Sequence, residues 1–371
     1  MTNKTNQNVL CVFGCLLGNK TVSAIIKDVL DGLDDFQADY ISVTPDDYGK
    51  YKVPCWKKAA GMTAEALHII DQKLKDVDFN AYDLVIVQGF EYGWAVNKRV
   101  KDIPCIMFND STPTATHRMM RQFPYYSPFW KLRSLVLEWA YRIFFRNVFS
   151  NIDHVFPQTD WCGRSMVRDF GIPQSRVSGG TIAADLDRWP VRDFADSSDE
   201  GIRLLFVGNE FQRKGGPFLL AVLERLPETA KLVIVSNDCF FDSALLPDRV
   251  RHYKNIDHDK MPEMFRSADI FVFPTYKEHF GMVQIEALSS GLPLISRDVG
   301  GVSDAVIDGY NGYLMPYKST EDDWVKKIEF LMSHPDERAR MGKNSRVLAE
   351  EKFSMEKFKS RISEAIETLC R

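Results

Sequence analysis

Two apolar runs within residues 269–316 constrain the fold more than any other feature of the chain. The runs, 270–274 and 293–296, are each followed by a polar loop and a predicted helix. Glu278 lies in the first loop, and Glu286 lies in the helix that follows it. Two strand–loop–helix units in succession predict adjacent parallel strands whose loops meet at one edge of a sheet. The segment therefore predicts an α/β fold with a pair of carboxylates at a sheet edge.

The length and composition indicate a globular protein of two domains. A chain of 371 residues exceeds one ordinary hydrophobic core. We place the domains at residues 1–186 and 187–352, with a polar linker at 187–200. Residues 353–371 are predicted to form a helix that packs back on the first domain. The net charge of −4 gives no general attraction to nucleic acid.

The chain carries no sequence signal for membrane insertion or export. No run approaches the about 18 apolar residues of a transmembrane helix, and the N-terminus lacks an apolar signal-peptide core. The seven cysteines are odd in number and include no Cys-x-x-Cys pair. We therefore expect a cytoplasmic protein with reduced, buried thiols and no metal site built from cysteine.

The N-terminal half predicts a parallel sheet with polar groups after its strands. The apolar run 9–13 precedes a loop with Gly14 and Gly18, which fits a ligand contact and plain turn geometry equally well. The apolar runs 84–87 and 104–108 are typical of strands covered on both faces. Polar residues follow these strands, where ligands bind in open α/β sheets: Glu91, Asn109 and Asp110.

Residues 117–147 combine many aromatic residues with six Arg or Lys and one Glu. One interpretation is a core helix from residue 128 onward that buries an apolar face, formed by Leu132, Leu135, Val136, Trp139 and Ile143. The other is an amphipathic surface that contacts an anionic membrane or a lipid-linked acceptor. The aromatic loop 122–130 fits the second interpretation best. The sequence leaves both open.

The C-terminal half opens with a strand, a loop containing glycines and cations, and a helix. The loop runs from Gly208 and Asn209 to Arg213 and Lys214. A helix N-terminus and two positive charges together favour phosphate binding. A solvated basic turn is the alternative, but the position between a strand and a helix favours the phosphate site.

Glu278 and Glu286 are eight residues apart and lie on a similar face of the loop–helix unit. A carboxylate can accept hydrogen bonds from two vicinal hydroxyls, so the pair could hold the sugar and the ribose of one nucleotide-sugar. The alternatives are a charge on the helix surface for Glu286 and a partner of the helix dipole for Glu278.

Three segments of the C-terminal half resemble the retaining GT-B glycosyltransferases of family 4, also called glycosyl transferases group 1. They are FVGNEFQRKGG, EHFGMVQIE and DVGGVSDAVIDGYNGYL, in the family's order and spacing. The N-terminal half agrees only in its βα pattern. The resemblance implies an α/β GT-B fold, with two Rossmann-like doubly wound parallel-sheet domains facing across a cleft. The first would bind the acceptor and the second the nucleotide-sugar.

The resemblance also implies roles for individual residues. Arg213 and Lys214 would stabilise the departing diphosphate, so no metal or other cofactor is required. Glu278 would bind hydroxyls of the donor sugar, and Glu286 would bind the ribose. The remaining donor-binding candidates are Gly14, Gly18, Gly208, Asn209, His279, Phe280, Gly281, Met282 and Val283.

Two positions depart from the family's pattern. Asn109 and Asp110 stand where many members have a histidine that contacts the donor sugar, and Asn209 stands where some have an arginine. The candidate acceptor or sugar contacts are therefore Asn109, Asp110, His117 and Glu91.

We expect a retaining hexosyltransferase of polysaccharide or glycolipid biosynthesis, with peripheral contact at the inner face of the membrane through residues 117–147. It would transfer a sugar from a nucleotide-sugar, with a UDP-sugar favoured, to a glycan or lipid-linked acceptor. The alternatives are a GDP-mannose-dependent transferase, a nucleotide-sugar epimerase of the same fold, and a non-catalytic nucleotide-binding scaffold. A scaffold would not need Arg213, Lys214, Glu278 and Glu286 together.

Overall fold

The computed structural model describes residues 7–14, 19–33, 35–44, 46–50, 62–179, 183–193, 201–238 and 246–369. The chain divides into two compact units. The first takes its residues from Met1–Arg118, Leu132–Ile182 and Phe358–Arg371, and the second from Met119–Lys131 and Ala183–Lys357.

The first unit is built on a five-stranded parallel sheet in the order β2-β1-β3-β4-β5. Its strands are β1 (Gln7–Gly14), β2 (Phe36–Val43), β3 (Leu84–Gln88), β4 (Cys105–Asn109) and β5 (His154–Pro157). Every residue of β3 and β4 is buried, as their uninterrupted apolar sequences predict for a sheet covered on both faces.

Helices alternate with these strands. They are α1 (Asn19–Asp31), α2 (Asp47–Lys50), α3 (Met62–Lys73), α4 (Phe90–Asn97), α5 (Pro113–Met120), α6 (Pro128–Phe144) and α7 (Asp160–Phe170). Glu91 was expected in a loop but lies in the first turn of α4. Three described cysteines, Cys11, Cys105 and Cys162, are buried and free, and the other four lie outside the described residues.

The interpretation of α6 as a core helix is wrong. The side chains expected in the core are all more than half exposed, namely Leu132, Leu135, Val136, Trp139 and Ile143. The buried positions of the helix are instead Ser134 and Glu138. Helical periodicity shows which residues share a face, but it does not show whether anything covers that face.

The second unit is built on a six-stranded parallel sheet in the order β11-β10-β9-β6-β7-β8. Its strands are β6 (Ile202–Val207), β7 (Ala230–Val235), β8 (Val250–Tyr253), β9 (Ile270–Phe273), β10 (Leu294–Arg297) and β11 (Gly312–Met315). The adjacent pairing of β9 and β10 confirms the two parallel strand units predicted in residues 269–316. The edge strands β8 and β11 were not predicted.

The helices of the C-terminal half are α8 (Gly216–Arg225), α9 (Met261–Arg266), α10 (Val283–Ser289), α11 (Glu321–Ser333), α12 (Pro335–Lys352) and α13 (Met355–Leu369). A helix was expected after the turn at Gly300 and Gly301, but this segment forms only the 3₁₀ turn Val302–Asp304. Within the first unit, the ring of Phe358 on α13 lies 6.2 Å from that of Phe108.

Candidate functional site

The C-terminal edge of the second sheet brings Arg213, Lys214 and Glu278 together. Arg213 and Lys214 lie in the loop from β6 to α8, and Glu278 lies in the loop from β9 to α10. Because β6 and β9 are neighbours in the sheet, these loops are adjacent. The Nζ of Lys214 is 3.3 Å from Oε2 of Glu278, and Nη1 of Arg213 is 3.5 Å from the same oxygen. The edge thus holds two cations around one carboxylate.

Two glycines permit the close approach of these loops. A Cβ on Gly208 would overlap the aliphatic stem of Lys214. Gly300, in the loop after β10, has a φ of +59°, and a Cβ there would overlap the carbonyl oxygen of Glu278. The next residue, Gly301, donates its backbone N–H to the carbonyl oxygen of His279 at 2.9 Å. The position of Glu278 therefore depends on a side-chain-free turn from the neighbouring strand.

Arg213 is held by its own loop and by the loop from β9 to α10. Its Nε and Nη2 donate to the two carboxylate oxygens of Glu210 at 2.8 and 3.0 Å, and its Nη1 donates to the carbonyl oxygen of Lys277. Burial alone would lower the pKa of Arg213, but Glu210 and Glu278 raise it above its ordinary value. Sequence reasoning missed Glu210, although an acid three residues before an arginine is a recognisable ion-pair spacing.

Glu278 is suited to accept hydrogen bonds rather than to donate a proton. Burial alone would raise its pKa, but the charges of Lys214 and Arg213 hold that pKa below its usual range. The carboxylate therefore stays ionised at neutral pH. Its side chain is 15% exposed, and Oε2, which faces the two cations, is buried.

Glu286 has the opposite electrostatic character. It lies on α10, and burial raises its pKa to about 7, while the charges of Lys214 and Arg188 act in the opposite direction. Among the described residues, no side chain forms a hydrogen bond or an ion pair with its carboxylate. Glu286 therefore takes up a proton more readily than Glu278.

The other donor-binding candidates of the second unit have structural contacts of their own. Phe280 is buried, and its ring lies 5.7 Å from that of Phe353. Gly281, Met282 and Val283 form the turn that leads into α10. Asn209 is exposed, and its Oδ1 accepts the backbone N–H of Asn237 at 2.9 Å.

The candidates of the first unit lie after several different strands. Gly14 ends β1, and Gly18 lies outside the described residues. Asn109 ends β4 and is fully buried, with its Nδ2 donating to the carbonyl oxygen of Ser111 at 2.8 Å. The same Nδ2 lies 3.5 and 3.6 Å from the sulfur atoms of Cys162 and Met166.

Asp110, Glu91 and His117 are partly exposed. The ring of His117 stacks on that of Tyr141 at 5.9 Å, and its Nδ1 is 3.3 Å from Oγ of Ser134. His117 is therefore packed against α6. The roles proposed for these residues and for Asn109 remain predictions.

The buried guanidinium of Arg297, which sequence reasoning missed, supports the C-terminal edge of the second sheet from within the core. Arg297, at the end of β10, is 1% exposed and donates to the carbonyl oxygens of Pro274 and Tyr317. Aromatic rings surround it, with centroids at 4.5 to 5.9 Å: Phe218, Tyr276, Tyr317 and Trp324. Because Pro274 directly follows β9, Arg297 ties the start of the Glu278 loop to the neighbouring strand.

The described residues contain no group of three or more His, Cys, Asp or Glu side chains arranged to hold a metal ion. Within the same part of the chain, no helix is both long and apolar enough to cross a membrane.

Comparison with known proteins identifies the type of domain that carries this edge. Residues 187–348 match the protein family described as glycosyl transferases group 1. The C-terminal half is therefore similar to this family over 162 residues. The family covers the Arg213–Lys214 loop and both carboxylates, which is the region where the sequence resemblance lies.

Curated relatives carry glycosyltransferase names. The chain is 30% identical over 218 residues to D-inositol 3-phosphate glycosyltransferase 2 of Catenulispora acidiphila, covering 52% of the chain and 51% of the relative. It is 37% identical over 232 residues to the D-inositol 3-phosphate glycosyltransferase of Gordonia bronchialis, covering 56% and 50%. The chain thus matches about half the length of each relative.

Solved structures share the fold over nearly the whole chain. Sucrose-phosphate synthase from Thermosynechococcus elongatus superposes with a TM-score of 0.74 at 19% identity, covering 98% of this chain and 99% of that one. Anabaena HepE in complex with UDP and glucose gives 0.65 at 13% identity, covering 97% and 99%. Together with the two parallel sheets, these likenesses confirm the predicted α/β GT-B fold class.

Proposed function

We propose that the chain is a retaining glycosyltransferase of family 4 that transfers a sugar from a nucleotide-sugar to a glycan or lipid-linked acceptor. The carrying observation is the cluster of Arg213, Lys214 and Glu278 at the C-terminal edge of the second sheet. Such a cluster provides positive charge for a diphosphate beside an ionised carboxylate for sugar hydroxyls. The names of the curated relatives support transfer of a glycosyl group, although the chain matches only half of their length.

In this proposal each charged group has one task. When the bond from the sugar to the phosphate breaks, negative charge grows on the diphosphate, and Lys214 and Arg213 stabilise it. Glu278 accepts hydrogen bonds from the sugar and so fixes its orientation. Glu286 accepts hydrogen bonds from the ribose, and the cations make a metal unnecessary.

A UDP-sugar is the favoured donor. The complex of Anabaena HepE with UDP and glucose supports this choice through the shared fold. We also propose that the enzyme works at the inner face of the membrane, where a lipid-linked acceptor is available, as part of polysaccharide or glycolipid biosynthesis.

The first experiment is a thermal-shift screen of the full chain with UDP-, GDP- and ADP-sugars. A ligand that binds only the folded state at about 100 times its Kd stabilises that state by about 2.7 kcal/mol, so the correct donor raises Tm by several degrees. We expect UDP-sugars to give the largest shift. A larger Tm shift with GDP-mannose would identify GDP-mannose as the donor in place of a UDP-sugar.

Turnover then separates the enzyme from its alternatives. We expect slow hydrolysis of the donor that gives the shift, and NMR of the released or transferred sugar to show the donor's anomeric configuration. Binding without turnover would indicate a scaffold, inversion at the anomeric carbon would contradict the retaining assignment, and conversion of the bound sugar into an epimer would indicate an epimerase.

A further inference from the structure

Helix α6 exposes a continuous apolar stripe. The stripe residues are spaced three or four apart and are 51–62% exposed: Leu132, Leu135, Val136, Trp139 and Ile143. Phe129, one turn before Leu132, is 70% exposed. At 3.6 residues per turn these positions lie on one side of the helix, opposite the buried Ser134 and Glu138. Proteins rarely leave such a patch in water without a partner for it.

Basic side chains flank the stripe. By helical geometry, Arg133 lies on one side of the stripe and is exposed. Arg142 lies on the other side, but its Nε is 3.6 Å from Oδ1 of buried Asp169, so it forms an ion pair within the protein. Arg146, also exposed, follows the last turn. The helix contains one acidic residue, Glu138, which is buried and lies 3.3 Å from Arg118. The exposed face is therefore apolar in the middle and positively charged at its edges.

We propose that the α6 stripe docks on the surface of an anionic lipid bilayer, a proposal that rests on the membrane location proposed above. The apolar side chains enter the boundary between headgroups and acyl chains, and Arg133 and Arg146 pair with lipid phosphates. The positive charge of this face favours an anionic bilayer over a second copy of the chain. A second copy docking through the same stripe would bring two positively charged borders together, whereas an anionic bilayer neutralises them.

The structure extends the expected membrane contact from the aromatic loop onto the helix. Within the second unit, the ring of Phe123 lies 5.0 Å from that of Tyr126, so part of the loop packs on itself. Tyr125, Phe129 and Trp130 nevertheless remain 54%, 70% and 48% exposed. The stripe side chains of α6 add to these rings, and together they provide the apolar surface for a bilayer.

The test is flotation of the full chain with vesicles of phosphatidylcholine alone and of phosphatidylcholine mixed with phosphatidylglycerol. We expect binding to the anionic vesicles only, weakened by added salt. The variant Leu135→Gln/Trp139→Gln should lose binding by roughly 10-fold or more, because it removes two inserted side chains. The variant Arg133→Gln/Arg146→Gln should lose about five-fold per charge, which corresponds to ~1 kcal/mol each near such a surface.

The matched control is Val191→Gln/Ile307→Gln, which replaces two apolar side chains that are 49% and 40% exposed elsewhere in the chain. It should float like the wild type, and circular dichroism and Tm should show that all variants fold. Equal vesicle binding by the wild type and Leu135→Gln/Trp139→Gln would overturn the inference, with the membrane location itself still standing. A dimer in sedimentation equilibrium that this variant loses would overturn it in favour of a second copy.

The failure of this inference and that of the proposed function give different results. Nucleotide-sugar thermal shifts do not involve α6, so all of these variants should retain them. A wild-type chain that binds a nucleotide-sugar but no vesicle would refute both the docking and the membrane location while leaving the transferase assignment intact.

Discussion

The C-terminal edges of the two sheets differ in the exposure of their polar groups. In the second unit, Arg213 and Lys214 meet Glu278 across two loops, and all three side chains are 15–21% exposed. In the first unit, Asn109 at the end of β4 is fully buried and bonded within its own loop. One edge keeps charges accessible to a ligand, and the other uses its polar groups to hold the fold together.

The network after β4 makes the contrast clearer. Asp169, on α7, accepts hydrogen bonds from Thr114 and Ser165, each at 2.8 Å. It also pairs with Arg118, while Thr112 contacts Ser165. Buried polar groups that satisfy one another in this way stabilise a unique packing. Variants at the C-terminal edge of the second sheet should therefore affect activity more than stability. Variants at the C-terminal edge of the first sheet should affect stability more than activity.

The largest effect is expected from Lys214→Ala and Glu278→Ala. Each removes a charged group that we propose contacts the reacting donor. We therefore expect kcat/KM for sugar transfer to fall by on the order of 10²-fold or more, with Tm close to that of the wild type. The measurement is steady-state transfer or donor hydrolysis. Lys260→Ala is the control, since that side chain is 75% exposed. Full activity in Lys214→Ala or Glu278→Ala would contradict the assignment of these residues to the active site.

A second variant tests whether the position of Glu278 matters as much as its charge. Gly300→Ala places a Cβ on the carbonyl oxygen of Glu278, so the loop must shift. Because small displacements of a positioning group are costly, we expect kcat/KM to fall by on the order of 10- to 100-fold. Gly309→Ala is the matched control, since its φ of +74° is similarly strained but nothing lies within 4 Å of the added Cβ.

Both glycine variants should lose about 1 kcal/mol of stability through backbone strain, and only Gly300→Ala should lose activity. Equal activity in the two variants would show that the Glu278 loop tolerates displacement. The two sheets would then differ in the charge of the groups at their C-terminal edges, and the exact position of Glu278 would not matter.

The second edge could be predicted from the sequence because its parts are local. Each apolar run ends at a loop, so the sequence placed Arg213, Lys214 and Glu278 in loops after parallel strands. That the strands β6 and β9 before these loops are neighbours is seen only in the structure. The pairing of Arg213 with Glu210 was missed although the two residues are three apart, because it also depends on a loop in which Glu210 has a φ of +57°. Buried Arg297 was missed because an arginine at a strand end has no sequence pattern that reports its burial.

The first edge was less predictable because its geometry depends on tertiary packing. The sequence placed Asn109 at a strand end, where ligands bind, but the direction of its amide is set by Ser111 and by the sulfur atoms of Cys162 and Met166. The exposure of α6 was misjudged for a related reason. Its periodicity indicated one apolar face, and only the packed structure shows that this face lacks cover in the described part of the chain.

A pH experiment sharpens the difference between the two carboxylates of the second edge. Glu286 has a pKa of about 7, so it loses its proton as the pH rises from 6 to 8. Hydrogen bonds from ribose hydroxyls favour the ionised form, so donor affinity should increase by up to about 10-fold over this range. Isothermal titration with a nucleotide-sugar measures it, because the diphosphate of such a donor does not titrate there.

Glu286→Gln should make the affinity independent of pH between 6 and 8. The lowered pKa of Glu278 keeps that carboxylate ionised over the same range, so it does not contribute to the change of donor affinity with pH. An unchanged slope in Glu286→Gln would assign the pH dependence to another group and remove Glu286 from the ribose site.

The smallest effect on activity is expected at the first edge. Asn109→Ala removes a buried amide that donates to Ser111, so the free energy of unfolding should fall by about 1–3 kcal/mol, measured by urea denaturation. Transfer at a temperature where the variant is folded should stay within about three-fold of the wild type, since kcat/KM reports only interactions with the substrate and transition state. Asp110→Ala, at the partly exposed next position, is the control for stability. If the folded Asn109→Ala instead loses transfer by 10²-fold, the amide contacts the substrate, and both edges of the enzyme then serve the reaction.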